Sequence, residues 1–219
     1  MTVILLTLNK PPRYWQEHYK RVLLHAIGDM PLVIISKEPM DWERPNTIYG
    51  RQDEVIDGLY PDRVNNIFAQ LLKATKISDT PYIALVDDDT MYHTDHFTSF
   101  RPPLNKMGFN YNRWAINEWE RDRAVYYYCP VPDNPVMIAP RQKLIDGLDG
   151  ISNFNQRATH FMRECVIFYS FTPVVCFHHT RGLAFEAAKK YKKPWPVQAL
   201  SLPWWGDASN LIREWREDE

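Results

Sequence analysis

Three consecutive aspartates, Asp87-Asp88-Asp89, follow the apolar run Tyr82 to Val86. A short apolar run reads as a buried strand, and side chains alternate across a strand, so Asp87 and Asp89 are expected to share a face and converge on one point. Two carboxylates so close repel each other unless a cation neutralises them. Hard oxygen ligands suit Mg²⁺ or Mn²⁺, which bridges protein carboxylates to phosphates. His178-His179 follows a second apolar run, Val174 to Phe177. A neutral imidazole at that strand end completes such a coordination sphere, with His179 the expected third ligand and His178 in reserve. The alternatives are an Asp-rich turn capping a helix that begins near Asp95, and a His pair that belongs to surface or core.

The elements that must position these residues alternate along the first half of the chain. Thr2 to Leu8 reads as a strand, and Pro11 to Ile27 places Tyr14, Trp15, Tyr19, Val22, Leu23 and Ala26 on one helical face. Pro31 to Ser36 and Asn46 to Tyr49 read as further strands, Arg63 to Thr75 as a second amphipathic helix, and Tyr82 to Val86 as the strand before the aspartates. Strands alternating with helices predict the α/β class: a Rossmann-type, mostly parallel sheet with helices on both faces, whose ligands bind outside the carboxyl ends of the strands. After Asp89 the pattern weakens. Trp114 to Trp119, Tyr126 to Tyr128 and Pro130 to Pro135 suggest loops and short strands, Val136 to Ala139 a strand and Arg141 to Leu148 a short helix. Asn155 to Phe171 reads as helical in part and Thr172 to Phe177 as a strand.

The 219 residues suit one domain, with 1–99 and 100–183 as its two halves and 184–219 as a tail rich in Lys and Trp. No apolar stretch approaches the roughly 20 residues of a membrane helix, and the N-terminus lacks the features of a secretory signal, so a cytoplasmic location is expected. The three cysteines, Cys129, Cys165 and Cys176, have neither disulfide nor zinc spacing and are expected to be reduced and buried. A net charge of −1 removes any global drive toward polyanions.

The strand-end aspartates and the downstream His pair resemble those of nucleotide-sugar glycosyltransferases of the GT-A fold. In that family a strand ends in Asp-x-Asp, which holds a divalent metal and the donor ribose, and a later His is often a further ligand. Leu6-Thr7-Leu8-Asn9 resembles the family's first-strand loop at the nucleobase, and Asp62-Arg63-Val64-Asn65-Asn66 its Arg-Asn-x-Gly donor contact without the Gly. Asn112-Arg113-Trp114, Met137 to Arg141 and His179-Thr-Arg-Gly182-Leu183 resemble small phage-type members. The resemblance implies a hexosyl- or pentosyltransferase using Mn²⁺ or Mg²⁺ and a nucleotide-sugar donor, with UDP-sugar expected. Thr7, Asn9, Arg63, Asn66, Asp87, Asp88 and Arg181 are the implied donor contacts, and Asp87, Asp89, His178 and His179 the implied metal ligands. The family's acidic pair falls at Arg163-Glu164-Cys165, where Cys165 replaces an Asp. Glu164 and Asp133 are therefore the expected catalytic bases, with Glu118 as a further candidate.

Resemblance to phage members implies a hydroxymethylated pyrimidine in duplex DNA as acceptor, in the host cytoplasm if phage-encoded, with a cell-surface glycan or protein as the alternative. Lys189, Lys190, Lys192 and Lys193 beside Trp195 offer phosphate contacts and stacking. A nucleotidyltransferase lacks its Gly-rich loop here, since Asn9-Lys-Pro-Pro follows the first strand. A noncatalytic sugar-binding module is the remaining alternative.

Overall fold

Aliphatic runs with no polar face are stable only in a sheet covered on both sides. β1 (Thr2–Thr7), β2 (Leu32–Ser36), β3 (Thr47–Arg51) and β4 (Tyr82–Asp87) pair in parallel in the order β4-β1-β2-β3. The computed structural model describes residues 1–9, 11, 13–52, 63–120, 123–149, 165–177 and 197–214, with only the backbone of 13, 14, 63–66, 117–120 and 123. Beyond β4 the sheet continues through three more strands. After β5 (Thr90–Met91), β6 (Met107–Asn110) runs antiparallel to β9 (Met137–Pro140), which is antiparallel to β4, and β10 (Cys165–Phe168) pairs parallel to β6. The result is a seven-stranded, mostly parallel sheet in the order β10-β6-β9-β4-β1-β2-β3.

Two helices of 15 residues flank this sheet: α1 (Arg13–Ile27) and α2 (Arg63–Ile77). On α1 the expected face is buried at Trp15, Tyr19, Leu23 and Ala26. Full burial of a leucine such as Leu23 contributes about 1.5–3 kcal/mol. The helix stops at Gly28, whose φ of 55° suits glycine and whose N–H bonds the Leu24 carbonyl at 3.1 Å. β1-α1-β2 steps one way across the sheet and β3-α2-β4 steps back past β1. Right-handed crossovers in opposite directions put α1 and α2 on opposite faces. The strand order therefore reverses between β1 and β4, and their carboxyl ends, at Thr7 and Asp87, border the switch-point crevice.

A second sheet, ordered β12-β8-β7-β11-β5, adds β7 (Arg113–Glu120), β8 (Arg123–Tyr128), β11 (Val174–Phe177) and β12 (Gln198–Ala199). Here the structure departs from the sequence reading. The region read as loops and short strands is a long antiparallel hairpin, β7 to β8, because Trp114, Ile116, Tyr126 and Tyr128 pair across it on one face. The described end of the segment read as partly helical is the strand β10 and an extended loop. The remaining elements are α3 (Thr94–Thr98), α4 (Arg141–Leu148), the small hairpin β13 (Ser201–Leu202) with β14 (Gly206–Asp207), and α5 (Ala208–Glu214). Cys176 is buried as expected, whereas Cys129 and Cys165 are only half-buried, and all three are free thiols. Among the described residues no helix is long and apolar enough to cross a membrane.

At the end of β6 lies a buried polar cluster. His96, on α3, is fully buried, and its Nδ1 accepts from Asn110 Nδ2 at 3.0 Å. Burial lowers the imidazole pKa to about 3, with Asp95 opposing weakly. In the unfolded chain the ring titrates near 6.5, so between about pH 6.5 and pH 3 the unfolded state binds a proton that the folded state excludes. His96 thus carries no proton-linked cost above about pH 6.5 and lowers stability progressively below it. Urea unfolding at pH 7 and pH 5 is expected to show about 2 kcal/mol more acid-induced loss in the parent than in His96→Leu.

Candidate active site

Each end of the switch-point crevice is built by a strand running out of the core. β1 ends at Thr7, and the chain turns through Asn9 at φ 53°, a left-handed conformation that Asn tolerates. The Asn9 N–H donates to Thr7 Oγ1 at 2.9 Å, and Asn9 Oδ1 accepts from the Glu38 N–H at 2.9 Å. The Thr7 carbonyl is tied down by the Lys37 N–H at 3.0 Å and by Gln52 Nε2 at 2.9 Å. These bonds fix the floor of the crevice.

On the other side β4 ends at Asp87, and Asp88-Asp89 form the turn into β5. The alternation argument thus stops at Asp87, because Asp88 and Asp89 are no longer in a strand. The turn does not cap α3 either, whose first turn follows His93. Instead the three carboxyls are distributed. The Thr7 hydroxyl donates to Asp88 Oδ2, Trp15 Nε1 donates to the Asp88 carbonyl at 2.9 Å, and Thr90 Oγ1 donates to Asp89 Oδ1 at 3.0 Å. The Asp89 carbonyl accepts from the Phe177 N–H at 2.6 Å, which anchors the turn to the end of β11.

Electrostatics still couple these groups. Burial holds the Asp87 carboxyl well above the usual carboxylate range, and Asp89, Asp133 and Asp88 push it further, while Arg113 pulls it back. Asp133 belongs to this set: it caps a 3₁₀ turn by accepting from the Asn134 N–H at 2.9 Å, and its Oδ2 meets Arg113 Nη2 at 2.7 Å. Beneath the aspartates, burial raises the Tyr19 hydroxyl well above its ordinary value, helped by Asp88, Asp87 and Asp89. That hydroxyl is buried and has no hydrogen-bond partner among the described residues. Tyr92 donates to the Pro135 carbonyl at 2.9 Å and accepts from the Asp87 N–H at 3.2 Å, locking the end of β4.

Arg113, Tyr19 and Tyr92 are site residues that the sequence reading did not place here. Arg113 carried a signal, since an arginine beside Trp114, Ala115 and Ile116 in a strand enters an apolar interior only with partners. Its Nε donates to Cys176 Sγ at 3.2 Å. Burial pushes the Cys176 thiol up to about 11, so near neutral pH it meets Arg113 as an uncharged hydrogen-bond acceptor, and Asp133 supplies the charge that opposes the burial of the guanidinium.

The chemistry of this donor set fits a divalent cation: hard oxygens, an excess of negative charge over the Arg113 guanidinium, and an orphaned buried hydroxyl beside them. Among the described residues, no three His, Cys, Asp or Glu side chains gather closely enough to hold an ion by themselves. His178, His179, Arg181 and Glu164 lie outside the described residues, as does the Lys189 to Trp195 segment. Arg63 and Asn66 fall in the first turn of α2, where only the backbone is described.

No family model matches the chain, and no curated protein matches it. Solved structures similar to it include a protein from Desulfovibrio desulfuricans G20 described as a nucleotide-diphospho-sugar transferase, at 13% identity over 99% of this chain and 97% of that one, with a TM-score of 0.46. An active-site mutant of LgtC is 13% identical over 81% and 72% with a TM-score of 0.45. S. aureus TarS in complex with UDP-GlcNAc is 11% identical over 82% of this chain and 59% of that chain, with a TM-score of 0.46. The functional reading rests on the site's own chemistry.

The Arg113 side chain is 10% exposed and that of its partner Asp133 44% exposed, so the two ends of their ion pair are not equivalent. Arg113→Gln removes a buried charge with several acceptors and is expected to cost about 1.5–3 kcal/mol of stability. Asp133→Asn touches a solvated end and is expected to cost about 1 kcal/mol or less. Chemical denaturation of both variants checks the asymmetry.

Proposed function

We propose that the protein is a metal-dependent glycosyltransferase that moves a sugar from a nucleotide-sugar, UDP-sugar in the first instance, to an acceptor hydroxyl. The observation that carries this reading is the aspartate cluster at the switch point between β1 and β4, where an open α/β sheet receives nucleotides. Asp87 and Asp89 would hold Mn²⁺ or Mg²⁺, joined by His179 or His178. When bound, the cation supplies Lewis-acid stabilisation to the departing nucleoside diphosphate.

This chain's own residues do the rest. Thr7 orients Asp88 for the donor ribose, and the fixed Asn9 turn presents polar groups to the nucleobase. Arg63, Asn66 and Arg181 complete the donor contacts. Transfer forms a bond from the acceptor oxygen to the anomeric carbon and breaks the bond to the diphosphate. The acceptor proton goes to a carboxylate, for which Asp133 and Glu164 are the candidates. Asp133 is half-exposed, with Arg113 Nη2 at Oδ2 and the Asn134 N–H at Oδ1, so it is oriented without being sealed off. The acceptor is a hydroxymethylated pyrimidine in duplex DNA or a glycan. The lysine-rich segment that favours DNA lies outside the described residues.

Asp87→Asn and Asp89→Asn are expected to weaken Mn²⁺-dependent UDP binding by at least about tenfold, or about 1.4 kcal/mol. Their far-ultraviolet spectra should match the parent's. Titration calorimetry with and without Mn²⁺ checks this, and parent-like binding by both variants defeats the proposal.

A further inference from the structure

Two buried tyrosines stand beside the aspartate turn, and only one of their hydroxyls is engaged. Tyr92, 1% exposed, donates to the Pro135 carbonyl at 2.9 Å and accepts from the Asp87 N–H at 3.2 Å. Tyr19, 2% exposed, has a hydroxyl sealed from solvent and without a hydrogen-bond partner among the described residues. A buried donor left unpaired is costly, and a phenylalanine of nearly the same shape avoids that cost. The Tyr19 hydroxyl is accounted for if it finds an acceptor in another state of the protein.

Placement identifies that acceptor. Tyr19 follows Trp15 by one turn on the buried face of α1, and side chains on a helix lean toward its N-terminus, so the Tyr19 ring lies over the turn that carries Trp15. Trp15 Nε1 donates to the Asp88 carbonyl at 2.9 Å. The Trp15 ring also meets Phe177 edge-on with centroids 4.7 Å apart, and the Phe177 N–H holds the Asp89 carbonyl. Trp42 packs against the Tyr19 ring, centroids 6.4 Å apart, and helps to fix it. The electrostatics agree: burial is the main reason that the hydroxyl keeps its proton, and among the aspartates Asp88 acts on it more strongly than Asp87 or Asp89. Tyr19 is thus a fixed donor beside the Asp88 carboxyl and not bonded to it. Asp88 has room for the bond, since the Thr7 hydroxyl takes only Oδ2 and a carboxylate offers about four acceptor positions on its two oxygens.

We propose that Tyr19 is a positioning residue of the donor site, whose hydroxyl takes the Asp88 carboxylate when nucleotide and cation bind, and so aims Asp88 at the donor ribose. Two hydroxyls, from Thr7 on β1 and Tyr19 on α1, then fix the rotation of one carboxylate. Outer donors of this kind orient the groups that touch a ligand, and their removal typically weakens a site by roughly 10–100-fold. In the ion-free turn the carboxylates repel one another. A cation relieves that repulsion, so loading is the step at which the turn settles onto the Tyr19 hydroxyl. The inference rests on the transferase reading above.

The test compares the parent chain with Tyr19→Phe in three measurements: the melting midpoint without ligand, and the affinities for UDP and for 2′,3′-dideoxy-UDP, both with Mn²⁺ in excess. Without ligand the variant should melt at or above the parent's midpoint, because it loses only an unpaired hydroxyl. Its affinity for UDP should fall about tenfold. Its affinity for the dideoxy nucleotide, which offers Asp88 no ribose hydroxyl, should stay within about twofold of the parent's. Tyr92→Phe, which removes an engaged hydroxyl, is expected to lower the ligand-free midpoint. If Tyr19→Phe lowers that midpoint in the same way, or weakens both nucleotides alike, its hydroxyl serves the fold and the proposal is overturned. A parent that binds both nucleotides equally also overturns it, since Asp88 then does not read the ribose. UDP binding by the parent that Tyr19→Phe leaves unchanged removes the role of Tyr19 alone, whereas a parent that binds no UDP with Mn²⁺ removes the transferase reading and this inference with it.

Discussion

Crowding of carboxylates at the end of β4 against the Arg113 guanidinium is the constraint on which the rest of the site depends. Burial, together with the nearby Asp89, Asp133 and Asp88, holds the Asp87 carboxyl well above the usual carboxylate range, with Arg113 opposing. Like charges held this close favour the neutral form of one of them unless a cation stands between. The surrounding structure is organised to hold these carboxyls. Thr7, Trp15 and Thr90 each bond one aspartate of the turn, and Tyr92 clamps the backbone of Asp87.

Sheet order explains why these groups can meet. β1 and β4 are neighbours although α1, β2, β3 and α2 separate them in the chain, so Thr7 and Asp88 come into contact across 81 residues. The second sheet closes the other side. β11 brings Cys176 to Arg113 and Phe177 to Asp89, and β7 carries Arg113 to Asp133. Two sheets thus converge on one turn of two residues.

What could be read in the sequence was local. The apolar runs of β1, β2 and β4, the buried face of α1 and the aspartates themselves declare their roles through neighbours a few residues away. The β7 to β8 hairpin stayed hidden because its pairing residues are interrupted by Arg113 and Asn117, which blur the period of two. Arg113 and Tyr19 were missed for a related reason. Each looks ordinary in its own element, one as a strand charge and one as a helix-face aromatic, and only the fold brings them to the aspartates. Within the turn, alternation failed because a strand rule was carried two residues past the strand's end.

The central claim is that the carboxylates at the end of β4 are assembled to receive a divalent cation. Anomalous diffraction from crystals grown with Mn²⁺ and UDP measures this directly. The account predicts a manganese peak at coordination distance from the Asp87 and Asp89 carboxylates, with the UDP phosphates on its other side. A manganese peak elsewhere, with UDP bound and both carboxylates free of metal, would contradict it.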